Sequence, residues 1–299
     1  MKHSVKEWFV VTRYWSFTVS AMPVIATFAY LFSKGQAGHG IMPWVILILS
    51  VLGVIILHSA GNVLSDYFDY RTGVDNENAF AVPNLVFHKF EPKEYLIFSI
   101  ILFIVGAAIG IVILLLSGPG LLIAGCIGIL LTALYSFLKY HALGDLDIFI
   151  IFGVLTVLGT TFAITGAYVF PALVLSLPIG LITVSVLHAN NTFDTNTDKA
   201  AGIKTFGMLI GLKAAARLYC LYMVLPFVCV IVSVICGWLH PMALICLLAA
   251  IPAFKNLKQA SQWREKGLEA MAGLDQASAK LQLVFSGLLS IGLIIGGLI

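Results

Sequence analysis

The amino-acid sequence predicts an all-α membrane protein, a polytopic bundle of nine transmembrane helices with a cytoplasmic N-terminus. Composition indicates this class, because 60% of the 299 residues are hydrophobic and only 10% are charged, whereas soluble domains carry about 25% charged residues. The mean hydropathy of +1.03 points the same way. Apolar runs are spread along the whole chain, so we expect residues 1–299 to form a single transmembrane domain.

Nine long apolar runs with few charges predict the individual helices, since a spanning helix needs about 20 apolar residues. In chain order they cover residues 15–33, 42–65, 94–117, 119–138, 146–167, 169–189, 216–236, 239–254 and 281–299. Glycine and proline mark three short connections, at 117–120, 166–171 and 237–241, as is typical of turns. The eighth run is the shortest, because charged residues resume at Lys255.

The distribution of charged residues predicts the orientation of the bundle. With nine spans, 16 of the 17 Lys and Arg residues and all 14 acidic residues fall at one end, and Lys34 lies alone at the other. Basic residues favour the cytoplasmic side of a membrane, so the charged end and the N-terminus are predicted to be cytoplasmic. The formal charge of only +3 argues against a nucleic-acid partner. The five cysteines lie in apolar runs without metal-binding spacing and are interpreted as packing residues.

Two groups of amide and acidic residues stand where apolar runs meet the charged end. The first group consists of Asn62, Asp66 and Asp69. The second group consists of Asn190, Asp194 and Asp198. Positions separated by four and then by three or four residues lie on one face of a helix, so each group is predicted to point in one direction.

Such groups of carboxylates need compensation in a membrane protein. Like charges four residues apart repel each other, and an Asp at the centre of a membrane helix costs about 2.5 to 3.5 kcal/mol. Mg²⁺ would offset this cost, because it takes oxygen ligands and is held by one or two carboxylates together with substrate phosphates. Solvated helix ends are the alternative interpretation, and the occurrence of two matched groups favours a functional site.

Four segments in the same order make the sequence resemble the UbiA superfamily of intramembrane aromatic prenyltransferases. The resemblance covers most of the chain. Its motifs are Asn62-x-x-x-Asp66-x-x-Asp69-x-x-x-Gly73-x-Asp75, Asn190-Asn191-x-x-Asp194-x-x-x-Asp198 with the trailing Gly202-Ile203-Lys204-Thr205, an opening segment from Arg13 to Pro23, and the loop Lys139 to Asp145. The spacing of the first motif is closest to the branch that acts on 1,4-dihydroxy-2-naphthoate in menaquinone biosynthesis.

The resemblance implies a polyprenyl diphosphate donor, an aromatic acceptor, membrane lipid around the prenyl chain, and Mg²⁺, with Mn²⁺ also suited to oxygen ligands. The residues implied to be catalytic are Asp66, Asp69, Asp194 and Asp198. The metal ligands implied are these four and Asn62. The diphosphate-binding residues implied are Asn62, Lys139, Asn190, Lys204 and Arg13. Departure of diphosphate would leave an allylic cation for the acceptor ring to attack.

One part of the family pattern is missing from this chain. Members usually carry an arginine after the first aspartate motif, whereas here no arginine occurs between Arg71 and Arg217. The corresponding stretch covers residues 78–89, in which Lys89 and His88 are the candidate replacements. Lysine lacks the two-pronged hydrogen bonding of arginine, so we expect the anion contact or the choice of donor to differ.

Several residues near the motifs have two interpretations. His58 and His188 either line the acceptor pocket or are hydrogen-bonded residues within helices. Four tyrosines either stabilise a carbocation through their ring faces or lie at the membrane interface. These are Tyr67, Tyr70, Tyr135 and Tyr140.

The sequence leaves two alternatives to a naphthoate prenyltransferase open. The same fold with another acceptor would act on 4-hydroxybenzoate, a haem, a chlorophyllide or a glycerol phosphate lipid. The other alternative is a cation-coupled transporter. Transporters place ionisable residues near the membrane midplane, whereas the acidic residues here lie at one end of the spans.

Overall fold

The computed structural model of the chain describes residues 3–77 and 83–299. Within these ranges the regular structure is helical, and nine helices are long and apolar enough to cross a membrane. The predicted fold class is therefore confirmed. The helices, α1 to α9 in chain order, are Tyr14–Ser33, Met42–Thr72, Pro92–Ser117, Leu121–Tyr140, Gly144–Thr165, Phe170–Phe193, Leu212–Ile235, Pro241–Met271 and Leu274–Leu298.

The helix ends differ from the prediction mainly at the charged end of the bundle. α2 continues to Thr72 instead of stopping at residue 65, and α9 begins at Leu274 instead of at residue 281. α8 extends through the charged stretch as far as Met271. Hydropathy marks only the apolar part of a helix, whereas backbone hydrogen bonding continues past it into polar residues. The candidate site therefore lies on helices rather than on loops.

Successive helices run in opposite directions, so residues that are far apart in the sequence lie together at the charged end. The C-terminal ends of α2, α4 and α6 meet the N-terminal ends of α1, α5 and α9 there. Short helices extend the same end of the bundle. They are Val5–Val11, Pro83–Val86, Thr195–Ala200 and Phe206–Ile210.

The core lies on one side of the bundle, where α9 packs against α1, α6 and α8, and α7 packs along α6. Its largest fully buried side chains include Leu31, Ile179, Tyr219 and Phe285. On the other side α3 packs along α2, and α4 turns many large apolar residues outward. Outward apolar residues are expected where a helix faces lipid.

A π-helix from Phe149 to Leu155 interrupts the first half of α5. The hydroxyl of Thr156 donates to the carbonyl of Ile151 at 2.8 Å, five residues earlier in the chain. Ile151 and Phe152, in the middle of this segment, both line a cavity. Such π-helical turns are frequent at functional sites.

Candidate active site

A cavity of about 1000 Å³, partly open to the outside, lies at the charged end of the bundle. Six helices contribute to it: α1, α2, α4, α5, α6 and α9. Its polar wall includes Arg13, Asn62, Lys139, Asn190, Asp275 and Gln276. Its apolar wall includes Trp15, Val19, Ile148, Ile151, Phe152 and Leu187. The cavity therefore joins a charged region to a hydrocarbon-like one.

The two aspartates of the first motif, Asp66 and Asp69, lie in the last two turns of α2, and both are buried. Asp66 accepts a hydrogen bond from Arg13 Nη2 at its Oδ1. Asp69 accepts from Lys139 Nζ at 3.3 Å and from the Tyr140 hydroxyl at 2.5 Å. Carboxylates are unfavourable at the C-terminal end of a helix, where the helix dipole is negative. These donors from α1 and α4 supply the compensation.

Arg13 reaches the site from an unusual backbone conformation. Its φ of 55° is left-handed, and the Ser16 hydroxyl donates to its carbonyl at 2.8 Å. Such a conformation in a residue other than glycine is uncommon and is found at functional sites. Burial alone would lower the pKa of Arg13, but the nearby Asp66, Asp69 and Asp75 outweigh burial and raise it. Asp75 is thus close enough to contribute to the charge of the site.

The second motif spans the junction between α6 and the short helix Thr195–Ala200. The backbone N–H of Asp194 donates to Asn190 and that of Asp198 donates to Asp194, both at 2.9 Å, so the predicted spacing is helical. The Asn190 amide also donates to the Asp194 carboxylate at 2.8 Å. Burial raises the pKa of Asp198 to about 7 and also raises the pKa of Asp194.

The donor set fits a divalent metal bound together with a diphosphate. No three His, Cys, Asp or Glu side chains of residues 3–77 and 83–299 converge as a ready-made metal site. Mg²⁺ does not require such a group, since one or two carboxylates and substrate phosphates suffice. Asp66 Oδ2 and Asp198 Oδ2 are buried and accept no hydrogen bond from the described residues. Each motif therefore keeps a free carboxylate oxygen.

Two other predicted ligands have more limited roles in this geometry. The Asn62 amide nitrogen donates to the Thr12 carbonyl at 3.3 Å and to the Ser16 hydroxyl at 3.4 Å, so its oxygen is the atom left for a ligand. Lys204 joins the site through its backbone, which pairs with Tyr140 and Ala142 at 3.1 and 2.8 Å. Its side chain is exposed and does not line the cavity. A diphosphate contact of Lys204 stays a prediction.

The two histidines differ in their position relative to the cavity. His58 lines the cavity, and its Nδ1 lies 3.2 Å from the Ser20 hydroxyl. His188 is fully buried outside it, with Nδ1 2.6 Å from the Asp145 carboxylate and Nε2 3.0 Å from the Ala215 carbonyl. Both ring nitrogens of His188 therefore have a partner, so this histidine holds α5 and α7 to α6.

The four tyrosines named in the sequence analysis lie in different surroundings. Tyr135 lines the cavity, and its role toward a carbocation stays a prediction. Tyr140 donates to Asp69. Tyr67 and Tyr70 pack against the buried cluster that contains Phe90, and they do not line the cavity.

Neither candidate for the missing arginine lines the cavity. Lys89 is bound to Glu7 at 2.7 Å, and His88 is exposed. Residues 78–82 of the same stretch, and Lys2 near the N-terminus, lie outside the described residues. Arg13 is the arginine that lines the cavity.

Sequence reasoning missed Asp275 and Gln276, which enter the cavity from the start of α9. The apolar run begins only at residue 281, so hydropathy assigned both residues to a loop. An acidic residue two positions after Gly273, with a helix-compatible sequence following it, was the available signal.

Comparisons with known proteins agree with this architecture. A model of the UbiA prenyltransferase family matches residues 13–272. The human protein called UbiA prenyltransferase domain-containing protein 1 is 30% identical over 289 residues, covering 95% of this chain and 82% of that protein. The Xenopus tropicalis protein of the same name is 28% identical over 289 residues, covering 95% of this chain and 80% of that protein.

Two solved structures share the fold. A UbiA homolog from Aeropyrum pernix K1 has a TM-score of 0.70 and 18% identity, covering 93% of this chain and 97% of that chain. A UbiA homolog from Archaeoglobus fulgidus, bound to GPP and Mg²⁺, has a TM-score of 0.67 and 13% identity, covering 96% of this chain and 99% of that chain.

Proposed function

This chain belongs to the UbiA prenyltransferase family, and we propose that it transfers a polyprenyl group from a prenyl diphosphate to an aromatic acceptor. It is a prenyltransferase and an integral membrane protein, so the transporter alternative is dropped. As acceptor we propose 1,4-dihydroxy-2-naphthoate, which would place the enzyme in menaquinone biosynthesis. The support for this acceptor is the spacing of the first motif, and the branch stays a prediction.

The observation that carries the proposal is the two-sided character of the cavity. Arg13 and Lys139 stand at its charged region beside Asp66 and Asp69, and apolar side chains such as Phe152 form the opposite wall. A prenyl diphosphate has the same division between an anionic head and a hydrocarbon chain. The related Archaeoglobus fulgidus protein was solved with GPP and Mg²⁺, which supports a donor of this kind and a divalent metal.

The cations of the chain have a direct role toward the diphosphate. Arg13 and Lys139 would donate charge-assisted hydrogen bonds to phosphate oxygens, which are stronger than those between neutral groups. Asp66, Asp69, Asp194 and Asp198 would then hold the metal. A bound Mg²⁺ supplies Lewis-acid stabilisation of the leaving diphosphate.

The apolar wall has a separate role toward the allylic cation. The ring of Tyr135 lines the cavity, and aromatic faces attract cations. Apolar residues such as Ile151 and Phe152 also keep water from the cation, which would otherwise be lost as an alcohol. The acceptor ring would attack from the same enclosed space, and the ring carbon that forms the new bond would then lose its proton, or its carboxylate as CO2.

We also propose a location for the protein. Basic residues concentrated at one end of the bundle favour the cytoplasmic face. The active site would then face the cytoplasm from the cytoplasmic membrane, and residues 1–299 would act as one transmembrane domain.

The test is product analysis of the purified protein in lipid with Mg²⁺ and a long-chain prenyl diphosphate. The acceptor is 1,4-dihydroxy-2-naphthoate or 4-hydroxybenzoate. We expect a metal-dependent prenylated naphthoquinol, and a loss of about hundredfold or more in Asp66→Asn and Asp194→Asn, as for other groups that stabilise transition-state charge. Glu265→Gln, at an exposed position outside the cavity, is the matched control.

The outcomes separate the parts of the proposal. Product from 4-hydroxybenzoate alone would replace the acceptor and keep the reaction. Failure to release diphosphate with either aromatic acceptor would contradict prenyl transfer to these two acceptors.

A further inference from the structure

A group of basic residues covers the charged end of α7 and α8. These side chains are exposed, and none forms an ion pair with an acidic group among residues 3–77 and 83–299. The acidic residues of the same two segments are Glu265 and Glu269, both exposed, so an excess of positive charge is left. The basic residues are Lys213 and Arg217 at the start of α7, and Lys255, Lys258, Arg264 and Lys266 in the last part of α8.

A contact between the two helices fixes the relative height of these cations. The Cys220 thiol of α7 lies 3.9 Å from the carbonyl oxygen of Leu257 in α8, and the two helices run in opposite directions. Arg217 precedes Cys220 by three residues, and Lys258 follows Leu257 by one. At 1.5 Å of rise per residue, the backbones at Arg217 and Lys258 differ in height by about 3 Å. The two cations therefore lie at the same depth of the bundle.

Outward apolar side chains continue both helix faces toward the middle of the membrane. On α7, Leu221 and Val224 lie four and seven residues after the arginine and are 50% and 44% exposed. On α8, Phe254 and Ile251 lie four and seven residues before the lysine and are 65% and 67% exposed. Residues at this spacing share one face of a helix. Each helix thus presents a cation at the charged end of an apolar stripe.

An anionic phospholipid has the complementary arrangement. Its phosphate lies at the level of the polar headgroups and its acyl chains lie in the hydrocarbon layer. Arginine and lysine donate strong, charge-assisted hydrogen bonds to phosphate oxygens, and basic pockets between transmembrane helices bind anionic headgroups. A zwitterionic lipid carries an ammonium group as well, which the excess positive charge repels. A soluble anion would leave the two apolar stripes without a partner.

We propose that Arg217 and Lys258 bind the phosphate of an anionic phospholipid whose acyl chains lie along the outward apolar faces of α7 and α8. Neither cation lines the catalytic cavity, so this lipid site is separate from the proposed reaction and is measured without turnover. The lipid contacts both helices at once, and its binding therefore stabilises the packing of α7 against α8.

The binding test compares phosphatidylglycerol with phosphatidylcholine of the same acyl chains, titrated onto the purified protein in neutral detergent and followed by native mass spectrometry. We expect the wild type to bind phosphatidylglycerol about tenfold or more tightly than phosphatidylcholine, and the Arg217→Gln, Lys258→Gln double variant to lose most of this preference. The Lys6→Gln, Lys93→Gln double variant is the matched control, because it removes the same charge from exposed positions at the same end of the bundle. Equal affinities for the two lipids in the wild type, or equal preferences in the two double variants, would overturn the proposal.

Thermal unfolding in detergent tests the fold of the variants and the chemistry of the ligand. Phosphatidylglycerol should raise the Tm of the wild type and of the control variant, and it should leave that of the Arg217→Gln, Lys258→Gln variant unchanged. Without lipid all three should unfold at similar temperatures, since exposed substitutions have small effects. Arg217→Lys with Lys258→Arg keeps both charges and should keep the Tm rise. A rise as large with inorganic phosphate alone would overturn the assignment to a lipid.

Discussion

Under the proposed function, Arg13 and Lys139 would connect the charge balance of the first motif with recognition of the donor. Each lines the cavity, and they contact Asp66 and Asp69 respectively. A buried carboxylate without a partner is strongly destabilising, so these cations stabilise α2 before any substrate binds. A bound diphosphate would give Arg13 and Lys139 new contacts, and its metal would give Asp66 and Asp69 new contacts. Binding of the donor could therefore exchange the ion pairs within the protein for contacts with the donor.

The first prediction concerns these two cations. Arg13→Gln and Lys139→Gln should each raise the KM for prenyl diphosphate about ten- to hundredfold, the equivalent of one hydrogen bond to a charged group. The KM for the aromatic acceptor should change little. Lys34→Gln removes a cation at the opposite end of the bundle and is the control. Steady-state kinetics in lipid would contradict this role if the donor KM stayed at the wild-type value.

The second prediction concerns pH and the short N-terminal helix Val5–Val11. The salt bridge to Lys89, with hydrogen bonds from Ser4, lowers the pKa of Glu7 from 4.5 to about 2. A lowered pKa means that the contact stabilises the helix above about pH 4.5 and is lost as the pH falls toward 2. In hydrogen exchange corrected for intrinsic rates, protection of this helix in the wild type should fall between pH 7 and pH 3, in the direction of the protection of Glu7→Gln at pH 7. Equal protection of the wild-type helix at pH 3 and pH 7 would contradict a stabilising contact of Glu7.

The helical placement of the two acidic groups could be predicted from their spacing, whereas their role in a site stays a prediction, since none of the four carboxylates is among the residues that line the cavity. The carboxylates at 66, 69, 194 and 198 lie as their spacing indicates. The residues that contact these carboxylates could not be predicted. Arg13, for example, contacts Asp66 from a distant part of the sequence. Tertiary packing determines such contacts, and no local pattern records them. For the same reason Lys204, inside a motif, does not line the cavity.

Single elements show where close packing fixes the geometry of the site. A Cβ at Gly153 in α5 would lie 3.2 Å from the Ser176 carbonyl oxygen and 3.3 Å from Gly180 Cα, both in α6. The two backbones therefore meet closely, as is common where small residues pair in membrane helices. This contact holds the π-helical segment, with Ile151 and Phe152, against α6.

The third prediction tests this crossing. Gly153→Leu should lower the free energy of unfolding by about 1 to 3 kcal/mol through overpacking and lower Tm in detergent. Gly110→Leu introduces the same side chain on α3, where an added Cβ meets no atom within 4 Å. Equal Tm values for both variants and wild type would show that the α5–α6 contact is not tight.

The fourth prediction concerns the buried pair that ties α5 to α6. Asp145 and His188 lie 2.6 Å apart, and His188 also contacts the α7 backbone. Asp145→Leu or His188→Phe alone should lower the free energy of unfolding by about 3 to 5 kcal/mol, because each leaves a buried polar partner without its contact. The double variant should be more stable than the sum of the single effects predicts. A double-mutant cycle on Tm would reject the pairing if the effects simply added.

Helix existence was predictable from the sequence, and helix ends were less so. Every predicted apolar run corresponds to a helix in the described part of the chain, because the hydrophobic requirement of the bilayer extends over about 20 residues. At α9, by contrast, residues 274–280 precede the apolar run, and four of these seven residues are charged or polar, so hydropathy cannot follow the helix into them. The cavity residue Asp275 lies in that part.

At the scale of the whole molecule, the separation of charge determines where chemistry can occur. Every element that contributes to the charged region of the cavity ends or begins at the same end of the bundle. That end holds all 14 acidic residues, and under the proposed function water there would deliver the metal and carry diphosphate away. The apolar wall of the same cavity would hold the hydrocarbon part of the donor. One cavity would then serve a water-soluble leaving group and a lipid-soluble chain.

The fifth prediction is the orientation of this charge-separated bundle in a cell. Positively charged loops are retained on the cytoplasmic side, so the end that holds 16 of the 17 basic residues should face the cytoplasm. In a variant without the native cysteines, Gln36→Cys marks the opposite end and Glu265→Cys marks the charged end; both positions are exposed. A membrane-impermeant maleimide should label Gln36→Cys in intact cells and Glu265→Cys only after the membrane is opened. The reverse pattern would place diphosphate release outside the cytoplasm, where soluble prenyl diphosphates made inside the cell could not reach the site, and would therefore contradict the proposed location and the supply of its donor together.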